Sequence, residues 1–153
     1  MSKNPFISEG ISTKKPLAYK LKKEYIKIKD NIVVNEIKID TEIKRIVITY
    51  KALRLLVIGK PWSISDYRIF NFLLNQMKRN QDQVYLNTAR MTKVLELSGS
   101  QVSKTINKLI DLGFISRIKG YNYYINPYLI FYGNRIEFLE QIDPKLVKCI
   151  KII

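Results

Sequence analysis

The 153-residue chain has no histidine and a single cysteine, Cys149. One cysteine cannot close an internal disulfide, which fits a reducing compartment. Without histidine, the metal-assisted tyrosine chemistry of DNA-nicking enzymes lacks its usual ligands, and a lone cysteine does not make a zinc site. Cys149 also lacks the customary base for thiol catalysis, and no glycine-rich loop of the Walker type offers a nucleotide site. The ten tyrosines therefore read as packing and surface contacts. The expectation is a protein that is not an enzyme and needs no cofactor or metal. No apolar run approaches the length of a membrane span, and the N-terminus lacks the apolar core of a secretory signal. A cytoplasmic location with no membrane partner is expected.

Acidic residues are also scarce: 13 against 27 lysines and arginines, a formal charge of +14 and a pI near 9.8. A surplus of that size favours nucleic acid or another anionic surface as partner. It does not identify the partner, because lysine richness also follows from an A+T-rich genome. Hydrophobic residues make up 46% of the chain, enough for one domain with a buried core.

The fold class expected is α+β: a mainly helical winged helix-turn-helix domain with a small β-wing, preceded by a basic arm and a β-hairpin. Residues 1–23 form the arm, rich in lysine, poor in periodicity and expected to be disordered in isolation. Residues 24–42 hold the hairpin, where Ile26 and Ile28 alternate with Lys27 and Lys29 ahead of an Asp30-Asn31 turn. Residues 43–134 form the DNA-binding domain and residues 135–153 a helical tail. Within the domain, Ile46–Ile58 is ambiguous: Val47-Ile48-Thr49-Tyr50 has strand propensity and Ala52–Leu56 helix propensity, and the stripe Val47, Tyr50, Leu53 and Val57 favours a helix. A second helix follows over about Asp66–Lys78, burying Phe70, Leu73, Leu74 and Met77, and then a short strand at Val84–Leu86. In the tail, Leu146, Val147, Ile150 and Ile153 fall at helical spacing. So short a helix needs a surface, and a homodimer through this tail and the aromatic Tyr128–Tyr132 segment is one expectation.

The most informative stretch runs from Leu86 to Tyr124. Asn87 can cap a helix carrying Met91, Val94 and Leu95. Ser98-Gly99-Ser100 breaks it, with Gly99 free to take a positive φ and Ser100 placed to cap the next helix. There Val102, Ile106, Leu109 and Ile110 make one apolar stripe. Gly113 ends that helix, and two strands joined by Lys119-Gly120-Tyr121-Asn122 follow. A helix, a turn, a second helix and a wing constitute a device for placing a helix in the major groove of double-stranded DNA. On the polar face, Gln101 and Asn107 can pair with an adenine edge, Lys104 and Lys108 can reach phosphates or guanine acceptors, Ser103 permits close approach, and Ser100 stands at the start of the same helix. Thr88 and Arg90 lie on the preceding helix, and Arg117, Lys119 and Tyr121 ride on the wing. These are the candidate DNA-binding residues. The alternative is a two-helix hairpin with a solvated polar face.

The run from Tyr67 to Asn134 resembles the RepL family of plasmid replication proteins of Gram-positive bacteria. The likeness rests on YRIFNFLLNQM, on TARMTKVLELSGSQVSKTINKLIDLGFI, and on INPYLIFYGN, where the family carries an Asn-Pro followed by apolar residues and a glycine. The resemblance implies a DNA-binding initiator that recognises an origin and recruits host replication proteins. The chain departs from that pattern in its strongly basic first residues and in its segment after Asp143. Two other roles fit the same DNA-binding head: a transcriptional regulator, and a phage structural or virion-packaged protein whose neighbours would be virion proteins.

Overall fold

The computed structural model describes residues 3–29, 32–39, 46–58 and 61–152. The fold is α+β, with six α-helices and three small sheets among the described residues. Its order begins α1 (Pro5–Thr13), β1 (Ala18–Lys29), β2 (Ile32–Ile39), β3 (Ile46–Ile48), α2 (Tyr50–Val57), α3 (Ile64–Gln76) and β4 (Gln83–Tyr85). It continues with α4 (Thr88–Leu95), α5 (Gly99–Asp111), β5 (Ile115–Lys119), β6 (Asn122–Ile125), β7 (Ile130–Tyr132) and α6 (Arg135–Ile142), then a 3₁₀ turn (Pro144–Leu146) and β8 (Val147–Ile152). No helix among the described residues is long and apolar enough to cross a membrane.

The core lies where α3, α4 and α5 meet the sheet β4-β6-β5. Ile69 and Leu73 from α3, Met91 from α4, Val102, Ile106 and Leu109 from α5, and Tyr123 and Ile125 from β6 are all buried there. Local chemistry sets the ends of these helices. Ser63 and Asp66 form a reciprocal capping box at the start of α3. The Asn87 side chain caps α4 by accepting from the Arg90 amide at 3.2 Å. At the turn into α5 the structure differs from the sequence reading. Glu96 takes the left-handed conformation (φ 54°), Gly99 is the first helical residue, and Ser98 rather than Ser100 caps α5. The Ser98 hydroxyl accepts from the Gln101 amide at 3.1 Å, satisfying an end donor one turn into the helix.

The arm is the first large correction. The sequence suggests that residues 1–23 are disordered in isolation, yet α1 and the first half of β1 lie within this stretch. Asn4 caps α1, Pro5 sets the first helical φ, and Ile7 packs with Ala18, Leu139 and Leu146 in a second apolar cluster. Asn4 is itself buried. Its amide donates to Asp82 Oδ2 at 3.0 Å and to the Ile125 carbonyl at 2.8 Å, tying α1 to the β6 end of the main sheet.

The tail is the second correction. Residues 147–152 are a strand, not a helix, and pair in parallel with β1, Ala18 opposite Val147 through Lys23 opposite Ile152. A helix of that length has little stability of its own, whereas the edge of β1 offers a ladder of backbone partners. The hairpin is present as antiparallel β1–β2, with Lys29 opposite Ile32, and its Asp30-Asn31 turn lies outside the described residues. The strands align in the order β2-β1-β8.

Two further expectations change. Ile46–Ile48 is a strand paired with β7, so the helix begins only at Tyr50. The stripe Tyr50, Leu53 and Val57 faces solvent, with Tyr50 76% and Val57 82% exposed, while Ala52, Leu55 and Leu56 face the core. The aromatic segment proposed for a dimer contact is largely used inside the chain: Phe131 is fully buried and stacks on Phe138 at 5.0 Å.

Candidate nucleic-acid interface

Two helices and a strand pair hold the candidate residues. Two side chains of α3 anchor both helices. The Arg68 guanidinium donates to the Leu95 carbonyl at 2.7 Å, closing the C-terminus of α4. Asp66, in the first turn of α3, receives hydrogen bonds from α5. The Thr105 hydroxyl donates to its Oδ1 at 2.6 Å, and the Gln101 side-chain Nε2 donates to the same oxygen at 3.4 Å. Lys108 Nζ lies 3.1 Å from the other oxygen. Burial pushes the Asp66 carboxyl up, but the hydrogen bonds from Thr105, the Ser63 amide and Lys108 outweigh it and hold the group down at about 2.

This network sorts the polar face of α5 into two parts. At 100° per residue, Ser100, Ser103, Lys104, Asn107 and Asp111 share one side, and all of them are exposed. Gln101 and Lys108 sit on the flank and turn inward. The Gln101 amide also donates to Thr105 Oγ1 at 3.2 Å. Lys108 Nζ donates to the Pro61 carbonyl at 2.9 Å and lies 4.9 Å over the Trp62 ring. These two residues brace α5 against α3 and the Pro61–Ser63 segment. Between that segment and α5 runs a cleft of about 750 Å³, floored by Leu55, Ile58, Trp62 and Leu112.

On the wing, β5 and β6 pair antiparallel with an irregularity between Arg117 and Lys119. The hairpin turns at Gly120 (φ 61°), where a positive φ suits glycine. Arg117 is exposed and lies 5.2 Å over the Tyr123 ring. Lys119 and Tyr121 project at the tip, and Tyr121 meets Tyr85 of β4 edge-on at 5.9 Å. On α4, Arg90 is exposed and Thr88 is half-buried in the first turn. A helix, a turn, a second helix and a three-stranded sheet make an arrangement compatible with a winged-helix-like domain.

The Firmicute plasmid replication protein (RepL) family matches residues 22–142. The chain belongs to the RepL family. No curated protein and no solved structure matches it.

The match to the RepL family runs from within β1 to the end of α6, so it covers every element of the candidate interface, while α1 and β8 lie outside it. The Asn126-Pro127 segment that carried the sequence resemblance has a definite task in this RepL-family chain. Buried Asn126 donates from its side chain to the Gly113 carbonyl at 2.8 Å and from its amide to the Phe114 carbonyl at 2.9 Å. It thereby fixes the end of α5 against the end of β6. Sequence reasoning missed Asp66, Thr105 and Trp62 as supports of the face. The Ser63-x-x-Asp66 spacing signals a capping box, but nothing local shows that the same carboxylate reaches α5.

Proposed function

We propose that α4, α5 and the β5–β6 hairpin act as a winged helix-turn-helix that binds a plasmid origin. In this reading α5 enters the major groove, and Asn107, Ser103 and Lys104 face the base edges. Asn107 can donate to and accept from an adenine edge, and Lys104 can reach guanine acceptors or a phosphate. Ser100 sits at the N-terminal end of α5, where a backbone phosphate meets the positive end of the helix dipole. Lys119, Arg117 and Tyr121 on the wing, and Arg90 on α4, hold the flanking backbone. The observation that carries this reading is the single exposed polar side of α5, set beside a wing with a basic tip in a chain of charge +14.

Membership of a plasmid replication family supports replication as the setting. The bound protein would mark the origin for host replication proteins. The test is a nuclease footprint on plasmid DNA carrying the chain's own coding region and flanks, with anisotropy titrations on the protected duplex and on random duplex of equal length. A discrete protected site, bound much more tightly than random DNA, supports the reading. Equal affinity for both, or no binding at low salt, rejects it.

A further inference from the structure

The sequence places two lysines on the polar face of α5, yet the structure gives only Lys104 to solvent. The Lys108 ammonium has three N–H groups. One meets Asp66 Oδ2 at 3.1 Å, one meets the Pro61 carbonyl at 2.9 Å, and the Trp62 ring lies 4.9 Å from the nitrogen on another side. Gln101 is committed in the same way, with both of its contacts made by the amide nitrogen, to Asp66 and Thr105. We infer that Asp66 is a specificity-determining residue that withholds Lys108 and Gln101 from DNA. This inference rests on the DNA reading proposed above.

The physical argument concerns which affinity a lysine raises. A phosphate contact strengthens binding to every sequence alike, because phosphates carry no base information. A lysine on the flank of a reading helix has the reach for such a contact. Freed, Lys108 would tighten binding to random DNA at least as much as to the origin, and the ratio between them would shrink. A carboxylate held against the flank of the helix keeps the charge in place for folding and out of reach for DNA. Asp66 is suited to this, since it is buried, fixed by the Ser63 amide at 2.9 Å and ionised at any ordinary pH. It faces the flank of α5 and not its exposed side, so it repels no phosphate directly.

The experiment measures log affinity against log salt on random duplex for the full chain. Wild type and Lys108→Met are expected to share one slope. Asp66→Asn, which keeps an acceptor for the Ser63 amide, is expected to steepen it by about 0.9, one phosphate's worth. It should also bind random DNA several-fold more tightly at low salt. The double variant Asp66→Asn with Lys108→Met is expected to return to the wild-type slope. A purely structural role would change thermal stability and leave the slopes alone. If Lys108→Met alone flattens the slope by about 0.9, Lys108 already contacts phosphate, and the inference fails while the DNA reading stands. That single variant decides the point even if Asp66→Asn does not fold. If wild type binds no duplex at all, both readings fail.

Discussion

Replacing Asn4 with alanine tests whether the N-terminal helix is part of the fold. The side chain does three things at once. Its oxygen accepts from the Phe6 amide at 3.1 Å, capping α1. Its nitrogen donates to Asp82 and to the Ile125 carbonyl. Loss of the cap costs about 1 kcal/mol. Loss of a buried donor opposite a carboxylate and a strand carbonyl costs about 1–3 kcal/mol more. The sum, roughly 2–4 kcal/mol, corresponds to a drop in Tm of about 5–15 °C for a chain of this size. Urea unfolding at neutral pH measures it: the midpoint should fall with the m-value unchanged, as one cooperative unit requires. Asn4→Asp adds a sharper comparison. It keeps the cap acceptor but sets a second carboxylate against Asp82 in place of a donor. It should therefore be worse than alanine at neutral pH. A change below about 0.5 kcal/mol would show that α1 is an appendage. A reduced m-value with an early separate transition would show the same.

Three other outcomes are expected. Asn107→Ala should cost roughly 1–3 kcal/mol on the footprinted duplex and far less on random DNA, while Lys104→Met should flatten the salt slope by about 0.9 on both; equal losses on both duplexes for Asn107→Ala would remove it as a base reader. The Asp66 carboxyl, lowered from 3.8 to about 2, contributes stability that is fully present above its unfolded value and lost as pH falls through about 2; urea midpoints between pH 5 and pH 2 should therefore fall by less in Asp66→Asn than in wild type, and parallel curves would contradict the assignment. Gly133 has φ 109°, and a Cβ there would run into the Asn80 side chain, which accepts from the Asn134 amide at 2.9 Å. Gly133→Ala should thus destabilise by about 1–3 kcal/mol in the same assay, and a neutral substitution would show that this loop relaxes freely.

The elements that could be read from sequence were those governed by local chemistry. Asn87 before α4, the apolar stripe of α5 and the Gly120 turn each leave their mark within a few residues, and each stands where it was expected. The errors came from contacts between distant residues. Lysines and two prolines made residues 1–23 look unstructured, because the partners of α1 and β1 are Asp82, Leu139 and β8. The stripe at Tyr50, Leu53 and Val57 was real, but periodicity does not say which side of a helix meets the core. For Gln101 and Lys108, residue type suggested DNA, and only the fold brings Asp66 up to claim them. Short helices carry the same ambiguity at their ends, as Ser98 and Ser100 show.

The parallel pairing of β1 with β8 has a mechanical consequence. In a parallel pair, the chain enters one strand and leaves the other at opposite ends of the ladder. Once α1 has been drawn away, tension between the residue before Ala18 and the residue after Ile152 does not peel this ladder open one bond at a time. It slides the two strands along each other, so that all six register pairs from Ala18–Val147 to Lys23–Ile152 bear load together. Everything between the two strands, the helices of the interface included, is then shielded until they slip. Resistance to such a pull is set by the height of an unfolding barrier and not by equilibrium stability, and here the pairs that bear the load are those of β1 and β8.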